Sequence, residues 1–407
     1  MRICILTTGY PRYNGDFDSV YIHRLARTLA KMDIEVHVVA PHANGIRKEE
    51  ITDGVYVHRF QYMYPSTAQS LAYSPGIPEN IKKNFNKFQL APFVIEMTRS
   101  LTRVVKRYDI NIVNAHWAIP TGLIAILAKR LCKIPVVTKI YGVEIYLAKK
   151  KYPAVKGLVK KTLLESDKVI ANSSTTRDIA LSTLGVKIDV EVIPDPVDVN
   201  LFSPRDGERI KAVYGLQGCP VILSCGRLVE RKGFHYLIQA MPTILNEEPT
   251  TRLAIVGEGP EKTRLMNLVS SLGLNGSVIF LGKIPMEKLP ECYAMSDIFV
   301  LPAIVDSDGD TEGLGLVLVE AMASGKPVIG SDVGGIPYII REDGEYGFLV
   351  QQRDPIELSE RIITLLRDEE LRKKLGARAR KLAEERFGCE RIARQYLTTF
   401  ERVIRGE

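Results

Sequence analysis

Two carboxylates, Glu312 and Glu320, stand eight positions apart in the segment DSDGDTEGLGLVLVEAMASGKPVIGSDVGG (306–335), just after the apolar run IFVLPA. Gly313, Leu314 and Gly315 lie at the expected start of a helix that reaches to about Ala323. A helix start leaves backbone N–H groups free and carries the positive end of the helix dipole, which suits a phosphate. Glycine lets that backbone approach a ligand with no Cβ in the way. At about 1.5 Å rise per residue, the spacing separates the carboxylates by roughly 10 Å along a helix axis. That is too far for a pair performing retaining glycoside hydrolysis, which needs roughly 5–5.5 Å. The pair fits two contacts on one elongated ligand; the plainer alternative is a helix-surface carboxylate and a charge near the helix start.

The elements that must position these residues follow from hydrophobic periodicity. Short β-rich runs at Ile3–Thr7, Glu35–Ala40, Ile110–Ala115, Val136–Ile140, Lys168–Ala171 and Val190–Ile193 alternate with helical patterns at Val20–Lys31, Val94–Arg107 and Leu123–Leu131. The alternation restarts with Val221–Cys225, Leu253–Val256, Val278–Leu281, Ile298–Leu301 and Val328–Ile329. Each array predicts a parallel sheet covered by helices on both faces. The fold class is therefore α/β, with two doubly wound, Rossmann-like domains facing a cleft. Their expected ranges are 1–195 and 196–385. The proline-containing segment 193–207 forms the hinge, and a helical C-terminus (386–407) packs back towards the first domain. Ligands in such sheets sit at the carboxyl ends of the strands.

The E-x7-E segment before Gly-Lys-Pro-Val and Gly334-Gly335-Ile336-Pro337 closely resembles the retaining family 4 glycosyltransferases, of GT-B fold. The resemblance covers nearly the whole chain: CGRLVERKGFHYLIQAM (225–241), VGEGPEKTRL (256–265), FLGKI (280–284), NAHWAIPTG (114–122) and TKIYGVEIY (138–146). It implies a catalytic set of His116, Arg227, Lys232 and Glu312. Arg227 and Lys232 would pair with the donor diphosphate, and Glu312 would hold hydroxyls of the transferred sugar. Glu320 would bind the ribose, with the Gly313–Gly315 amides near the phosphate. Lys283 and Ile284 would offer backbone contacts to the base, Glu258 would lie nearby, and Gly15 would approach from the other domain. Tyr141, Gly142 and Glu144 would stand on the acceptor side.

An always-charged guanidinium fork and a mobile ammonium suit the charge growing on a leaving diphosphate. Removing either Arg227 or Lys232 is expected to cost rate and leave the fold intact. The resemblance implies transfer from a UDP- or GDP-sugar to a glycan, lipid-linked or similar acceptor, with no cofactor and no obligatory metal. Alternatives are a transferase acting on a soluble sugar phosphate and a non-catalytic sugar-nucleotide-binding subunit. A nicotinamide oxidoreductase would require a G-x-G-x-x-G after a strand, and Lys262 occupies the third glycine position after Gly257 and Gly259.

Several positions depart from the family pattern. Tyr141-Gly142-Val143-Glu144 stands where His-Gly-x-Asp is common, Asn14-Gly15 replaces a double glycine, and Pro-Asp-Pro-Val (194–197) replaces Pro-Asn-Gly-Val. Asp306-Ser307-Asp308 resembles a metal-binding DxD, but position 12 of the corresponding calcium loop is Val317; a polar loop is the competing account.

Hydrophobic content of 45% and charged content of 25% are ordinary for a globular chain, and no apolar run is long enough to span a membrane. The N-terminal MRICILTTGYP lacks a signal-peptide layout and reads as a first strand. Six scattered cysteines with no CxxC fit a reducing compartment, so a cytoplasmic location is expected. The net charge of +7 is uneven: residues 1–195 carry 28 Lys/Arg against 17 Asp/Glu. That half suits an anionic partner. Arg99, Arg103, Lys106 and Arg107 face away from Phe93, Val94, Met97, Leu101, Val104 and Val105. This basic amphipathic helix fits peripheral contact with an anionic membrane and fits a solvated surface equally well. Further basic runs lie at Lys82, Lys83 and Lys87 and at Lys149–Lys151 with Lys156, Lys160 and Lys161. The stretch Tyr62–Ile81 reads as a mobile acceptor-side loop. No nucleic-acid motif is present.

Overall fold

A computed structural model describes residues 1–74, 76–150 and 153–407. The chain divides into two compact units, one formed by Met1–Pro196 with Cys389–Glu407 and the other by Val197–Gly388. The C-terminal segment that joins the first unit begins at Cys389, three residues later than expected. Arg386 and Phe387 belong to the second unit, where the Arg386 guanidinium lies over the Tyr338 ring (4.6 Å) and donates to the Tyr338 carbonyl.

The first unit holds strands β1 (Arg2–Leu6), β2 (Glu35–Pro41), β3 (Glu49–Thr52), β4 (Val55–Phe60), β5 (Ile112–His116), β6 (Val136–Ile140), β7 (Lys168–Ala171) and β8 (Val190–Val192). Their order is β3-β4-β2-β1-β5-β6-β7-β8, parallel throughout apart from the β3–β4 pair. β5, β6 and most of β1 and β2 are buried on both faces, as expected of a parallel sheet covered by helices. The helix Leu90–Arg107 covers one face with Phe93, Met97, Leu101, Val104 and Val105. The C-terminal helix Cys389–Arg405 covers the other with Ile392, Tyr396 and Phe400.

The β3–β4 hairpin was not expected from the periodicity. Its turn, Asp53-Gly54, has positive φ at both residues, the conformation that a tight hairpin between right-twisted strands requires. The stretch Tyr62–Ile81, expected as a mobile loop, is instead tied into the core; Pro75 within it lies outside the described residues. Tyr62 Oη accepts from the amides of Leu71 and Ala72 at 3.1 and 3.2 Å. Asn80 Nδ2 donates to the Leu71 and Tyr73 carbonyls, both at 3.1 Å. Of the basic runs, Lys151 lies outside the described residues.

The second unit holds β9 (Val221–Cys225), β10 (Arg252–Val256), β11 (Val278–Gly282), β12 (Ile298–Leu301), β13 (Val328–Ser331) and β14 (Phe348–Val350) in the order β11-β10-β9-β12-β13-β14, all parallel. The short edge strand β14 was not anticipated. Helices Phe234–Glu247 and Pro355–Arg367 pack Leu237, Met241, Leu358 and Ile362 against one face of the sheet.

Candidate functional site

In the second unit the residues singled out in the sequence gather at the carboxyl ends of four neighbouring strands. β9 runs into Gly226-Arg227-Leu228 and the 3-10 turn Glu230–Lys232. β10 runs into Gly257–Gly259, β11 into Lys283 and Ile284, and β12 into the loop that carries Glu312. These loops interlock through their backbones. Leu228 N donates to the Glu258 carbonyl at 3.0 Å, and Gly257 N donates to the Gly282 carbonyl at 2.8 Å. Arg227, Glu258 and Lys283 are exposed, and Glu258 Oε1 accepts from Lys262 Nζ at 2.8 Å.

The helix Leu316–Ala323 starts at Gly315, whose φ of 95° is left-handed backbone that favours glycine. Glu312 therefore sits in the preceding loop, and only Glu320 is helical. The axial estimate of roughly 10 Å does not apply, because Leu316 to Glu320 rises only about 6 Å. What separates the two carboxylates is the loop, held by Gly335, whose amide donates to the Glu312 carbonyl at 2.9 Å. A Cβ at Gly335 would press on the Gly313 carbonyl and lie 2.7 Å from Leu314 Cα, so the Gly334-Gly335 pair fixes the backbone that aims Glu312. Leu314 itself is buried.

Lys232 and Glu312 are both buried, and Lys232 Nζ donates to Glu312 Oε2. Arg231 Nη1 lies 3.6 Å from the same oxygen. Burial alone would raise the Glu312 carboxyl, but Lys232 and Arg231 outweigh it and hold it below the ordinary carboxylate value. The expectation that Lys232 can be removed without cost to the fold is therefore corrected: its loss leaves a buried carboxylate with one cation fewer.

Glu320 is buried, and its Oε2 accepts from Tyr293 Oη at 3.0 Å. Sequence reasoning missed Tyr293, because its helix Leu289–Met295 gives no sign of contact with a residue 27 positions away. It also missed Arg231, the neighbour of a motif lysine. Asp306 Oδ1 accepts from the amides of Asp308 (3.0 Å) and Asp310 (2.9 Å), so this carboxylate is engaged within its own turn.

In the first unit, β5 ends at His116, β6 leads into Tyr141 and Gly142, and Glu144 lies in the first turn of the helix Val143–Lys150. His116 is fully buried with both ring nitrogens engaged. Asn114 Nδ2 donates to the Val137 carbonyl at 3.3 Å, and Asn114 Oδ1 lies 3.0 Å from His116 Nε2. Nδ1 pairs with the Tyr141 hydroxyl at 2.5 Å. Burial, reinforced by Lys139, pushes this imidazole well below the usual histidine value, so it is neutral at pH 7.

Glu144 Oε1 accepts from the amides of Tyr141 (3.2 Å) and Ala118 (3.3 Å), while Oε2 is buried with no partner among the described residues. Burial pushes its carboxyl up to about 7. Gly15 occupies a turn with φ 84°, braced by Arg12, whose Nε donates to Asp16 Oδ2 at 2.6 Å. A buried ion pair absent from the sequence expectations, Lys139 with Asp195 at 2.7 Å, joins β6 to the segment that leaves the unit. The Lys139 ammonium also faces the rings of Tyr141 and Tyr396, at 5.5 and 5.3 Å.

Two family models match the chain, "Glycosyltransferase Family 4" over residues 19–201 and "Glycosyl transferases group 1" over residues 206–382. The chain is 29% identical over 412 aligned positions to N-acetyl-alpha-D-glucosaminyl L-malate synthase of Bacillus anthracis, covering 100% of this chain and 99% of that one. It is 34% identical over 271 positions to the GDP-mannose-dependent alpha-(1-6)-phosphatidylinositol monomannoside mannosyltransferase of Mycolicibacterium smegmatis, covering 66% of this chain and 70% of that one. Its fold is similar to sucrose-phosphate synthase from Thermosynechococcus elongatus, with a TM-score of 0.83 at 22% identity over the full length of both chains. That likeness shows the fold, the two-unit GT-B architecture.

Proposed function

We propose that this chain, which belongs to the family 4, group 1 glycosyltransferases, is a retaining enzyme that moves a sugar from a UDP- or GDP-sugar to a glycan or lipid-linked acceptor. The second unit binds the donor. Arg227 and Lys232 stabilise the leaving diphosphate, Glu312 accepts hydroxyls of the sugar, and Glu320 accepts those of the ribose. The observation that carries this assignment is the buried Lys232–Glu312 contact just before the start of the helix Leu316–Ala323, whose own Glu320 is buried against Tyr293. The bond from the anomeric carbon to the diphosphate breaks while one to the acceptor oxygen forms on the same face. The acceptor proton passes to a diphosphate oxygen. With two cationic side chains and a helix start directed at the diphosphate, no obligatory metal is needed.

The first unit supplies the acceptor side through Tyr141, Gly142 and the Glu144 oxygen that has no partner among the described residues. A groove of about 550 Å³ on this unit is lined by Ile95, Leu131, Arg99, Arg103 and Lys106 among others. Ile95 and Leu131 are exposed beside those cations, which suits peripheral contact with an anionic bilayer. A lipid-linked acceptor fits the phosphatidylinositol monomannoside in the name of the Mycolicibacterium smegmatis relative. A small soluble acceptor is the second reading, favoured by the malate in the name of N-acetyl-alpha-D-glucosaminyl L-malate synthase, which aligns over the whole chain.

Thermal shift with UDP, GDP and ADP, followed by release of nucleotide from UDP- and GDP-sugars in the presence and absence of EDTA, tests the donor assignment. UDP or GDP is expected to stabilise the protein, and turnover should survive EDTA. Stabilisation by none of them would contradict the assignment. Salt-sensitive co-sedimentation with anionic liposomes is expected for a membrane-bound acceptor.

A further inference from the structure

The turn Glu230–Lys232 is laced to the loop 304–312 by all of its side chains. Glu230 Oε2 accepts from Ser307 Oγ at 3.0 Å, and the Arg231 carbonyl accepts from Ile304 N at 2.8 Å. Arg231 Nη1 donates to the Thr311 carbonyl at 3.3 Å, and its Nε lies 3.4 Å from Asp310 Oδ2. Two cations thus address one oxygen of Glu312, and they are not equivalent. Lys232 is a point charge on a flexible stem, free to follow a diphosphate, whereas Arg231 is a planar fork fixed by Thr311 and Asp310.

Resting on the donor site proposed above, we propose that Arg231 is a positioning residue that keeps Glu312 ionised and aimed at the donor sugar when Lys232 is drawn to the diphosphate. A buried carboxylate deprived of its only counter-charge is driven towards protonation, and a protonated Glu312 accepts sugar hydroxyls poorly. The charged groups facing Glu312 are Lys232 and Arg231 from the turn and Asp310 from its own loop; the Gly315 amide also donates to it. Asp310 opposes its ionisation and Arg231 supports it, so the two residues should act in opposite directions.

The test uses the full chain in titration calorimetry at pH 5.5 and pH 8, with UDP, GDP, UDP-glucose and GDP-mannose as probes. Arg231→Met is expected to bind the free nucleoside diphosphate as the wild type does. Its affinity for the nucleotide sugar should fall relative to wild type, and the deficit should deepen about tenfold between pH 8 and pH 5.5. Arg231→Lys should restore most of the loss at pH 5.5, and Asp310→Asn should make nucleotide-sugar binding less sensitive to acid than in the wild type. If Arg231→Met does not fold, Arg231→Lys and Asp310→Asn still carry the test, with acid sensitivity at or above wild type in the first and below it in the second. A deficit equal at both pH values and shared by UDP and UDP-glucose overturns the inference, as does a shift of all variants in one direction. A wild type that binds neither UDP nor GDP overturns the donor site itself, and this inference with it.

Discussion

Lys232 Nζ bonds to Glu312 Oε2 across 80 positions of sequence, with both side chains largely buried. This one contact ties the loop after β9 to the loop after β12 and couples the proposed diphosphate contact to the proposed sugar contact.

Lys232→Ala should therefore lower both turnover and stability. The expected loss is about 1–3 kcal/mol, below the about 3–5 kcal/mol of an orphaned buried charge because Arg231 remains. Adding Glu312→Ala should recover part of that stability without recovering turnover. Urea denaturation of the four members of this double-mutant cycle measures the coupling, and additive losses would show that the pair is not coupled.

Glu144 gives a pH signature of the first unit. Its carboxyl is held up to about 7 in the folded state against an ordinary value of 4.5, so between those values the folded chain holds a proton that the unfolded chain has released. Stability should fall as pH rises through that window and level off above it. Glu144→Gln lacks this term, so it should gain on the wild type by up to about 3 kcal/mol between pH 4.5 and pH 8. Denaturation midpoints of both proteins at pH 5 and pH 8 check the sign; a constant difference would mean that Glu144 is not raised.

Tyr293→Phe removes the hydroxyl that donates to Glu320. A contact made equally in the ground and transition states affects KM more than kcat, so donor KM should rise several-fold with kcat within about twofold. A fall in kcat at unchanged KM would place Glu320 in the chemistry instead.

The Lys139–Asp195 pair is almost wholly buried. Lys139→Met alone should cost about 3–5 kcal/mol, and Lys139→Met with Asp195→Leu distinctly less, since removing both charges leaves neither stranded. Equal melting temperatures for the single and double variants would contradict this.

Much of the architecture was legible because buried parallel strands write themselves as short apolar runs, and each run of β9 to β13 ends where a glycine-containing loop carries the polar residues. The β3–β4 hairpin escaped because half-exposed strands such as EEIT carry little apolar signal, although Asp53-Gly54 marks the turn. Tyr62, Leu71 and Asn80 show why composition misled: tyrosines, serines and prolines look like a loose loop, but their hydroxyls and amides satisfy one another inside the core. In the site, motif spacing located Lys232 and Glu312 singly. Their pairing, the support from Arg231, the Tyr293 contact and the engagement of both His116 nitrogens join residues far apart in sequence or depend on side-chain direction, which periodicity does not encode.

The most direct test of the donor site is Arg227→Ala, because Arg227 is exposed and its loss should spare the fold. Steady-state turnover of whichever UDP- or GDP-sugar the wild type uses should fall by about a hundredfold or more, the scale expected on losing a charge that stabilises the leaving group, with the melting temperature unchanged. Undiminished turnover in this variant would contradict the assignment of the leaving diphosphate to this site.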